Sequence, residues 1–416
     1  MRSGYSARVT SLPPIRLPSG VRDFLPRAAA RRRDLAERVM DVFEAWGYAR
    51  LITPMFECAD VLERGLGDGA KAAAIRFVEP GTGEIVALRP DITPQIARVV
   101  ATRMADVPGP IRLCYEGAVT RLAGDRGQRE ILQAGIELVD ASDAGDAEVL
   151  AVATAVLERL GLEAHLDVGH VAPARHVLDA APDPAARAAL VAAISRKDRA
   201  GVRVAARALP DAVAPLAGEL VQLWGPAAAT LERARALAWP DAVHAAFAQI
   251  EHTLATLEEL IGARDITIDL GDLRGFDYYT GMRFGAYAAG APDAILRGGR
   301  YDELIGRYGR PARATGFAID LEAVAEAQRA AGVAGPAPAL GVATPDPVLA
   351  KQLRAAGVRA VVQNAVAPAW LRGAGLDAAI VGDRIVFADD REATDDRAIQ
   401  AARAGDTASL IALLKA

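Results

Sequence analysis

Cysteine is almost absent from this chain of 416 residues, which contains only Cys58 and Cys114. Two cysteines are too few for the disulfide framework of a secreted domain, and no cysteine or histidine spacing is typical of a zinc site. The sequence therefore predicts a protein of the reducing cytoplasm that holds no metal and needs no cofactor.

Long apolar runs are also missing. No uninterrupted stretch reaches the roughly 20 residues that a transmembrane helix needs, and residues 1–15 contain arginines and prolines but not the apolar core of a signal peptide. We expect residues 1–16 to form a flexible lead and the protein to be soluble, without a membrane partner.

A surplus of positive charge is the third absence. The chain has 48 lysines and arginines against 53 aspartates and glutamates, so its formal net charge is -5. Nucleic-acid-binding domains are usually basic overall. The charge argues against a nucleic-acid partner while leaving a local basic groove possible.

The length predicts two or three domains. A Gly/Pro/Ala segment at residues 332–338 is typical of a linker. Beyond it, short apolar runs alternate with helical stretches, which predicts a small α/β domain over residues 339–416. Alanine-rich helical sequence over about residues 165–262 predicts a helical insertion, and the histidines in or beside it lack ligand spacing.

The most polar stretch follows a predicted strand. Residues 265–270 alternate polar and apolar side chains, and Arg274, Asp277, Tyr278 and Tyr279 come directly after them, beside glycines. Binding groups are common where a strand ends. This stretch therefore predicts a ligand site.

A second polar group lies between a strand and a helix. Pro90 favours an extended residue before it, and Thr93 is predicted to cap a helix whose first turn contains Pro94. Asp91 and Thr93 are therefore expected at a strand-to-helix junction.

Two further strands are predicted at residues 112–120 and 130–139 as an antiparallel pair. Alternation on the second strand places Gln133 and Glu137 on one face, where they could line a pocket. For either residue alone, a place on the solvated face of a sheet is the commoner explanation. The alternation alone does not decide between a pocket and the solvated face of a sheet.

Downstream, Gly298 and Gly299 predict a bend with close backbone approach, after which Tyr301 could reach the same pocket. Residues 315–322 read as a strand that runs into a helix.

Taken together, these segments resemble the histidyl-tRNA synthetases and their non-synthetase paralogue, the regulatory subunit of ATP phosphoribosyltransferase. The similarity spans residues 17 to about 330. It rests on Arg121 and on the sequence motifs at residues 88–93, 133–137, 273–279, 298–302 and 316–322.

The resemblance implies an α+β fold of the class II synthetase type. We expect a six- or seven-stranded antiparallel sheet flanked by helices, usually dimeric, with a histidine pocket in a domain at residues 17–331. The C-terminal segment faintly resembles a degenerate anticodon-binding domain.

The resemblance also assigns the polar residues to the groups of histidine. Its carboxylate suits Arg274, its ammonium suits Asp91, Thr93 and Gln133, and its imidazole suits Glu137, Tyr279 and Tyr301. Because residues from several separate segments match the groups of one small zwitterion, a ligand-binding role is favoured for these residues as a set. The expected histidine-binding residues are Asp91, Thr93, Arg121, Gln133, Glu137, Arg274, Tyr278, Tyr279 and Tyr301.

Departures from the synthetase pattern decide which relative the chain is closer to. Where synthetases carry a glycine and a phosphate-binding arginine, this chain has Asp320 and Ala323. Arg121 retains the other phosphate-type arginine, but the loop at residues 122–127 is shorter. A carboxylate repels a triphosphate, so the resemblance implies that adenylation is lost and that no residue is catalytic.

The function that the resemblance implies is a non-catalytic regulatory subunit of ATP phosphoribosyltransferase, required for the first step of histidine biosynthesis and its feedback control. Its expected partners are the short-form catalytic subunit and L-histidine, with a homodimer inside a hetero-oligomer and no tRNA. An active histidine-tRNA ligase is the alternative. A third possibility is a histidine-sensing scaffold with another partner.

Overall fold

A computed structural model describes residues 16–122, 127–275, 278–336, 339–364 and 367–415. The expected N-terminal lead lies outside these ranges except for its last residue, as do Asp277 and most of the short loop at 122–127. The chain divides into two compact units between Ala334 and Gly335. That boundary falls inside the segment expected to be a linker.

The first unit is built on two sheets. Its described strands are β1 (Ala49–Arg50), β2 (Phe56–Cys58), β3 (Arg76–Val78), β4 (Ile85–Leu88), β5 (Ile111–Thr120), β6 (Glu130–Val139), β7 (Ala164–His170), β8 (Trp224–Pro226), β9 (Ile266–Asp269), β10 (Met282–Ala288), β11 (Leu296–Arg300) and β12 (Ala314–Asp320).

The large sheet has nine strands in the order β1-β5-β6-β12-β11-β10-β7-β9-β8. The six strands from β5 to β7 in this order pair antiparallel. The β1–β5 and β7–β9 pairs are parallel, so the sheet as a whole is mixed. The antiparallel centre agrees with the expected fold class, but the sheet has nine strands where six or seven antiparallel strands were expected, because short parallel partners extend it beyond β5 and β7. A separate small sheet has the order β2-β4-β3.

Helices cover both faces of the large sheet. In the first unit they are α1 (Pro26–Ala45), α2 (Ala59–Glu63), α3 (Asp68–Ala73), α4 (Thr93–Arg103), α5 (Gly145–Arg159), α6 (Val171–Asp179), α7 (Pro184–Ser195), α8 (Arg199–Ala205), α9 (Ala214–Leu220), α10 (Ala227–Arg235), α11 (Asp241–Ile261) and α12 (Leu321–Ala330), with short 3-10 turns at Ala206–Ala208 and Ile305–Tyr308.

The alternation along β6 separates two cores. Leu132 and Ile136 pack in the large core that contains α1 and α5, whereas Ile131 packs with α4 on the opposite face. Gln133 and Glu137 share the face of Ile131, as the period of two requires. The predicted one-sided placement of these residues is confirmed.

Three local predictions need correction. Residues 56–66 read as a helix in the sequence, but residues 56–58 form strand β2 before a short helix, because they pair with β4 at the edge of the small sheet. Residues 164–170 form strand β7 inside the large sheet, so the helical insertion, expected from about residue 165, begins at Val171. Gly298 and Gly299 lie within β11 and do not form a bend.

The close approach expected at these glycines is confirmed. A Cβ atom at Gly298 would meet the Gly316 carbonyl oxygen and the Phe284 and Phe317 side chains within about 2.5 Å. The absence of a side chain therefore lets neighbouring strands and rings pack against β11.

The second unit is a small α/β domain, as its alternating pattern predicts. It contains β13 (Gly341–Thr344), β14 (Arg359–Val362), β15 (Ala378–Val381), β16 (Arg384–Phe387) and β17 (Glu392–Thr394), with α13 (Pro347–Ala355), α14 (Pro368–Ala374), α15 (Asp396–Arg403) and α16 (Ala408–Lys415). The sheet order is β14-β13-β15-β16-β17, parallel in its first three strands and antiparallel beyond β15. Within the described ranges, no helix has both the length and the apolar character needed to span a bilayer.

Candidate functional site

A cavity of about 490 Å³ lies on the α4 face of the large sheet, over the centre of β6, β12 and β11. The strand register arranges its floor in rows. Glu137, Gly316 and Gly299 lie side by side in the first row, and Ala318 and Arg297 in the second. In the third row, Gln133 lies beside Asp320. The polar side chains therefore surround a floor of small residues.

Gly316 is required by this arrangement. A Cβ atom at this position would collide with the Glu137 carboxylate and would lie 2.9 Å from the Tyr301 hydroxyl. The missing side chain leaves room for both groups to meet above the sheet.

Glu137 is the most buried acid of the cavity. The Thr93 hydroxyl donates to its Oε1 at 2.7 Å, and the Tyr301 hydroxyl donates to its Oε2. Burial raises the pKa of Glu137 well above its usual range, since few groups here replace the water that would solvate a carboxylate. A cationic or hydrogen-bond-donating ligand group would offset that cost.

Phenol rings form the wall above Glu137. The rings of Tyr278 and Tyr279 are 5.3 Å apart and those of Tyr278 and Tyr301 are 5.2 Å apart, measured between centroids. Burial raises the pKa of the Tyr115 and Tyr278 phenols well above the ordinary value, so both stay neutral donors and acceptors. This wall suits a flat ring with polar edge atoms.

Asp91 and Thr93 lie at the strand-to-helix junction as expected, and both line the cavity. Asp91 Oδ1 accepts from the Ile92 and Thr93 backbone N–H groups at 2.6 and 3.3 Å. The prediction that Thr93 caps α4 is wrong, because its hydroxyl contacts Glu137 across the cavity. A tertiary partner outcompetes the local cap.

Gln133 offers an unused acceptor. Its side chain is buried and lines the cavity, yet its Oε1 has no hydrogen-bond partner among the described residues. Buried polar atoms are nearly always paired in native proteins. The orphaned oxygen can therefore accept a hydrogen bond from a ligand donor or an ordered water at this position.

Arg121 borders the other end of the cavity, where its Nε donates to the Pro90 carbonyl oxygen at 3.0 Å. Of the nine expected histidine-binding residues, the cavity is lined by eight: Asp91, Thr93, Arg121, Gln133, Glu137, Tyr278, Tyr279 and Tyr301.

Arg274 is the exception, because it does not line the cavity. Its Nε and Nη2 atoms donate to the two oxygens of Asp272, each at 2.9 Å, and its guanidinium lies 5.2 Å from the centre of the Tyr287 ring. Its Nη1 also reaches Asp293. Its placement at the strand end was expected from sequence, but this local carboxylate turns it away from the ligand space.

Arg297 is a second arginine of the cavity, and no sequence motif singled it out. It lies on β11 two residues before Gly299 and lines the cavity together with Asp293, with which it pairs. The alternation of side chains along β11 could have predicted its position, because it places Arg297 on the same face as Gly299.

Asp320 and Ala323 both line the cavity at the start of α12. Asp320 accepts from the Ala323 backbone N–H at 2.9 Å and so caps this helix. Among the lining residues, four acids (Asp91, Glu137, Asp293 and Asp320) outnumber two arginines (Arg121 and Arg297). That balance opposes the binding of a polyanion. No cluster of three or more potential metal-binding side chains occurs in the described ranges.

Comparisons with known proteins match this architecture. A family model described as histidyl-tRNA synthetase matches residues 20–324. A relative from Anaeromyxobacter dehalogenans (strain 2CP-1 / ATCC BAA-258), named ATP phosphoribosyltransferase regulatory subunit, is 47% identical over 324 residues, which are 75% of this chain and 90% of the relative. A protein of the same name from Moorella thermoacetica is 37% identical over 389 residues, covering 88% of this chain and 98% of that protein.

Solved structures give the same result. A structure described as an ATP phosphoribosyltransferase regulatory subunit/histidyl-tRNA synthetase from Bacillus halodurans superposes with a TM-score of 0.77 at 27% identity, covering 88% of this chain and 97% of its own. Histidyl-tRNA synthetase from Nostoc sp. PCC 7120 also gives a TM-score of 0.77, at 20% identity, over 97% of this chain and 99% of its own. The second similarity shows the shared fold alone.

Proposed function

The chain belongs to the family of ATP phosphoribosyltransferase regulatory subunits, and we propose from this that it assembles with a short-form catalytic ATP phosphoribosyltransferase. In that assembly it serves the first step of histidine biosynthesis and its feedback control by histidine. The chain itself performs no catalysis. The location that we propose for the assembly is the cytoplasm.

The cavity supports histidine as the regulatory ligand. The observation that carries this proposal is the convergence of an orphaned buried acceptor, Gln133 Oε1, with a buried acid, Glu137, under a wall of phenols. Asp91 and Gln133 suit the ammonium group of an amino acid, and Glu137 with Tyr301 suits an imidazole. No single one of these residues would identify the ligand, but the set fits histidine.

Loss of adenylation is supported by the start of α12. A carboxylate, Asp320, and a methyl group, Ala323, line the part of the cavity that the resemblance assigns to a nucleotide. A triphosphate placed there would meet repulsion and would lack a bidentate arginine. The same reasoning, with the net charge of -5, favours a chain that does not charge tRNA.

A homodimer within the hetero-oligomer is supported by two exposed apolar pairs of the small sheet, Val78 with Ile85 and Phe56 with Phe77, which we call together the apolar patch. Val78 and Ile85 are 60% and 59% exposed and are paired across β3 and β4, while the Phe56 and Phe77 rings are 6.0 Å apart on the opposite face of the sheet. Exposed apolar side chains grouped in this way are typical of interfaces. A second copy of the chain is the occupant we propose.

Feedback requires that histidine bind the inhibited assembly more tightly than the active one, because a ligand with equal affinity for both shifts nothing. The regulatory chain therefore needs a histidine site and a catalytic partner whose activity depends on it.

Co-expression with a short-form catalytic transferase tests this proposal. A joint complex on a sizing column, with transferase activity that the catalytic chain lacks alone, is the expected result. Failure to form a complex, with histidine binding intact, would favour a histidine-sensing scaffold with another partner.

The alternative function, an active histidine-tRNA ligase, predicts histidine-dependent exchange of pyrophosphate into ATP. We expect no exchange above background from the purified chain. Robust exchange would contradict the proposed function.

A further inference from the structure

Four ion pairs form a cluster of charged side chains beside the cavity. Arg274 and Arg283 both pair with Asp272, and Arg274 and Arg297 both pair with Asp293. Three guanidinium groups thus share two carboxylates, and a third carboxylate, Asp167, lies within electrostatic reach of Arg274 and Asp272. The cluster therefore offers an anionic ligand group its unused N–H donors.

Of these three arginines, only Arg297 lines the cavity. Arg283 is buried, and besides Asp272 it donates to the Arg274 carbonyl oxygen at 3.1 Å. Arg274 holds Asp272 with two nitrogens and lies over the Tyr287 ring. A ligand in the cavity can therefore reach this cluster through Arg297.

Arg297 also has donors to spare. In the described part of the chain its side chain hydrogen-bonds with Asp293 through Nη2, while a guanidinium carries five N–H donors. Its side chain is 37% exposed. A carboxylate can therefore join Asp293 on the same fork, in the bidentate manner that arginine favours.

The register places Arg297 at the correct separation from the ring site. Arg297 lies in the second row of the floor, and Glu137 and Gly316 lie in the first. The two rows are two residues apart, which is roughly 7 Å along the strands. In histidine, two carbons separate the ring from the carboxylate. The carboxylate of an amino acid whose ring contacts Glu137 can therefore reach the second row of the floor, where Arg297 lies.

We propose that Arg297 binds the α-carboxylate of the regulatory amino acid, the role that the resemblance gives to Arg274. This assignment rests on the proposed function and deepens it. Gln133 and Asp91 then hold the ammonium group on one side, and Arg297 holds the carboxylate on the other. Arg274 acts as a positioning residue, because it shares Asp293 with Arg297 and helps to fix that carboxylate.

The assignment makes the site selective for the free acid. A ligand with the imidazole and the amine but an alcohol in place of the carboxylate keeps the contacts of Glu137 and Gln133 and loses that of Arg297. L-histidinol is such a ligand.

Calorimetric titration of the full chain with L-histidine and with L-histidinol tests the assignment in matched glutamine variants. Arg297→Gln should weaken histidine binding by about 10- to 100-fold, the effect of losing a charge-assisted hydrogen bond, and should change histidinol binding by less than about 3-fold. Arg297→Lys, which keeps the charge, should lie between Arg297→Gln and the parent. The control is Arg235→Gln, which removes an exposed ion pair with Glu251 on the helical insertion.

Arg274→Gln is the discriminating variant. We expect it to retain most of the preference of the parent for histidine over histidinol, whereas Arg297→Gln loses that preference. An unchanged preference in Arg297→Gln, or its loss in Arg274→Gln alone, would overturn the assignment while leaving the histidine site in place. If the parent chain binds neither ligand, the proposed function fails and the assignment fails with it.

Discussion

The Thr93 hydroxyl donates a hydrogen bond of 2.7 Å to the Glu137 carboxylate, and so ties the first turn of α4 to the centre of the large sheet. The helix and the strand are 44 residues apart in sequence at this contact. The bond fixes one oxygen of a buried acid, and Tyr301 fixes the other. The acid is thereby held in one orientation before a ligand enters.

Glu137→Gln tests whether this acid binds the ligand ring. The amide keeps the size of the side chain and can still accept from Thr93, but it cannot provide a charged acceptor. We expect histidine affinity to fall by about 10- to 100-fold, since hydrogen bonds to a charged group contribute about 1.5–3 kcal/mol. Calorimetry near neutral pH measures the change, with the exposed Glu251→Gln as control. Equal affinity in Glu137→Gln and the parent would remove Glu137 from the site.

The raised pKa of Glu137 predicts how the stability of the ligand-free chain depends on pH. Because the folded-state pKa lies above the unfolded value of about 4.3, the folded form holds its proton when the unfolded chain has released it. The stability linked to this proton is present at low pH and is lost as pH rises through the window between the two pKa values.

Glu137→Gln lacks this titration. The free energy of unfolding of the variant should therefore increase relative to that of the parent as pH rises from about 4.3. Urea unfolding of both proteins at several pH values measures the difference, and other titrating groups cancel between them. A difference that stays flat or shrinks with rising pH would show that Glu137 ionises normally in the fold.

Asp320 predicts a separable effect on stability. Its side chain caps α12, and loss of an N-cap costs about 0.5–2 kcal/mol. Asp320→Ala should therefore lower the free energy of unfolding of the first unit by about 1 kcal/mol, whereas Asp320→Asn, which can still cap, should stay close to the parent. Equal losses in the two variants, measured by urea unfolding, would mean that the charge stabilises the fold and that the cap does not.

The apolar patch on the small sheet predicts an effect on assembly. Val78→Asp and Ile85→Asp place a charge on its two most exposed members, and burying an unpaired charge in an interface is costly. Light scattering on a sizing column should show a dimer for the parent and a monomer for each variant. Leu260→Asp is the matched control, since Leu260 is also half exposed but lies on α11. A dimer in all three variants would place the interface elsewhere.

Much of the site was predictable because it depends on local pattern. The alternation along β6 predicted that Gln133 and Glu137 share a face, and the register confirms it. Which of the two faces meets a ligand was not local information. It depends on α4 and on β11, which approach from distant parts of the sequence.

Arg274 and Arg297 show which part of the site the sequence did not predict. Arg274 stands in a motif and Arg297 does not, yet Arg297 lines the cavity, because Asp272 lies two residues before Arg274 and captures its guanidinium. Thr93 shows the same limit, since a local cap and a distant carboxylate compete for one hydroxyl. Which partner is bonded depends on tertiary geometry, which residue spacing does not specify.

The most direct test of the regulatory role is the activity of the short-form catalytic transferase assembled with this chain, titrated with histidine. We expect histidine to inhibit the assembly. We also expect Gln133→Leu, which removes the orphaned acceptor but retains a buried side chain of similar size, to raise the half-inhibiting histidine concentration by about 10-fold or more while the complex still forms. Inhibition with the same half-point in the variant, or activity that histidine does not affect, would contradict a histidine site in this cavity.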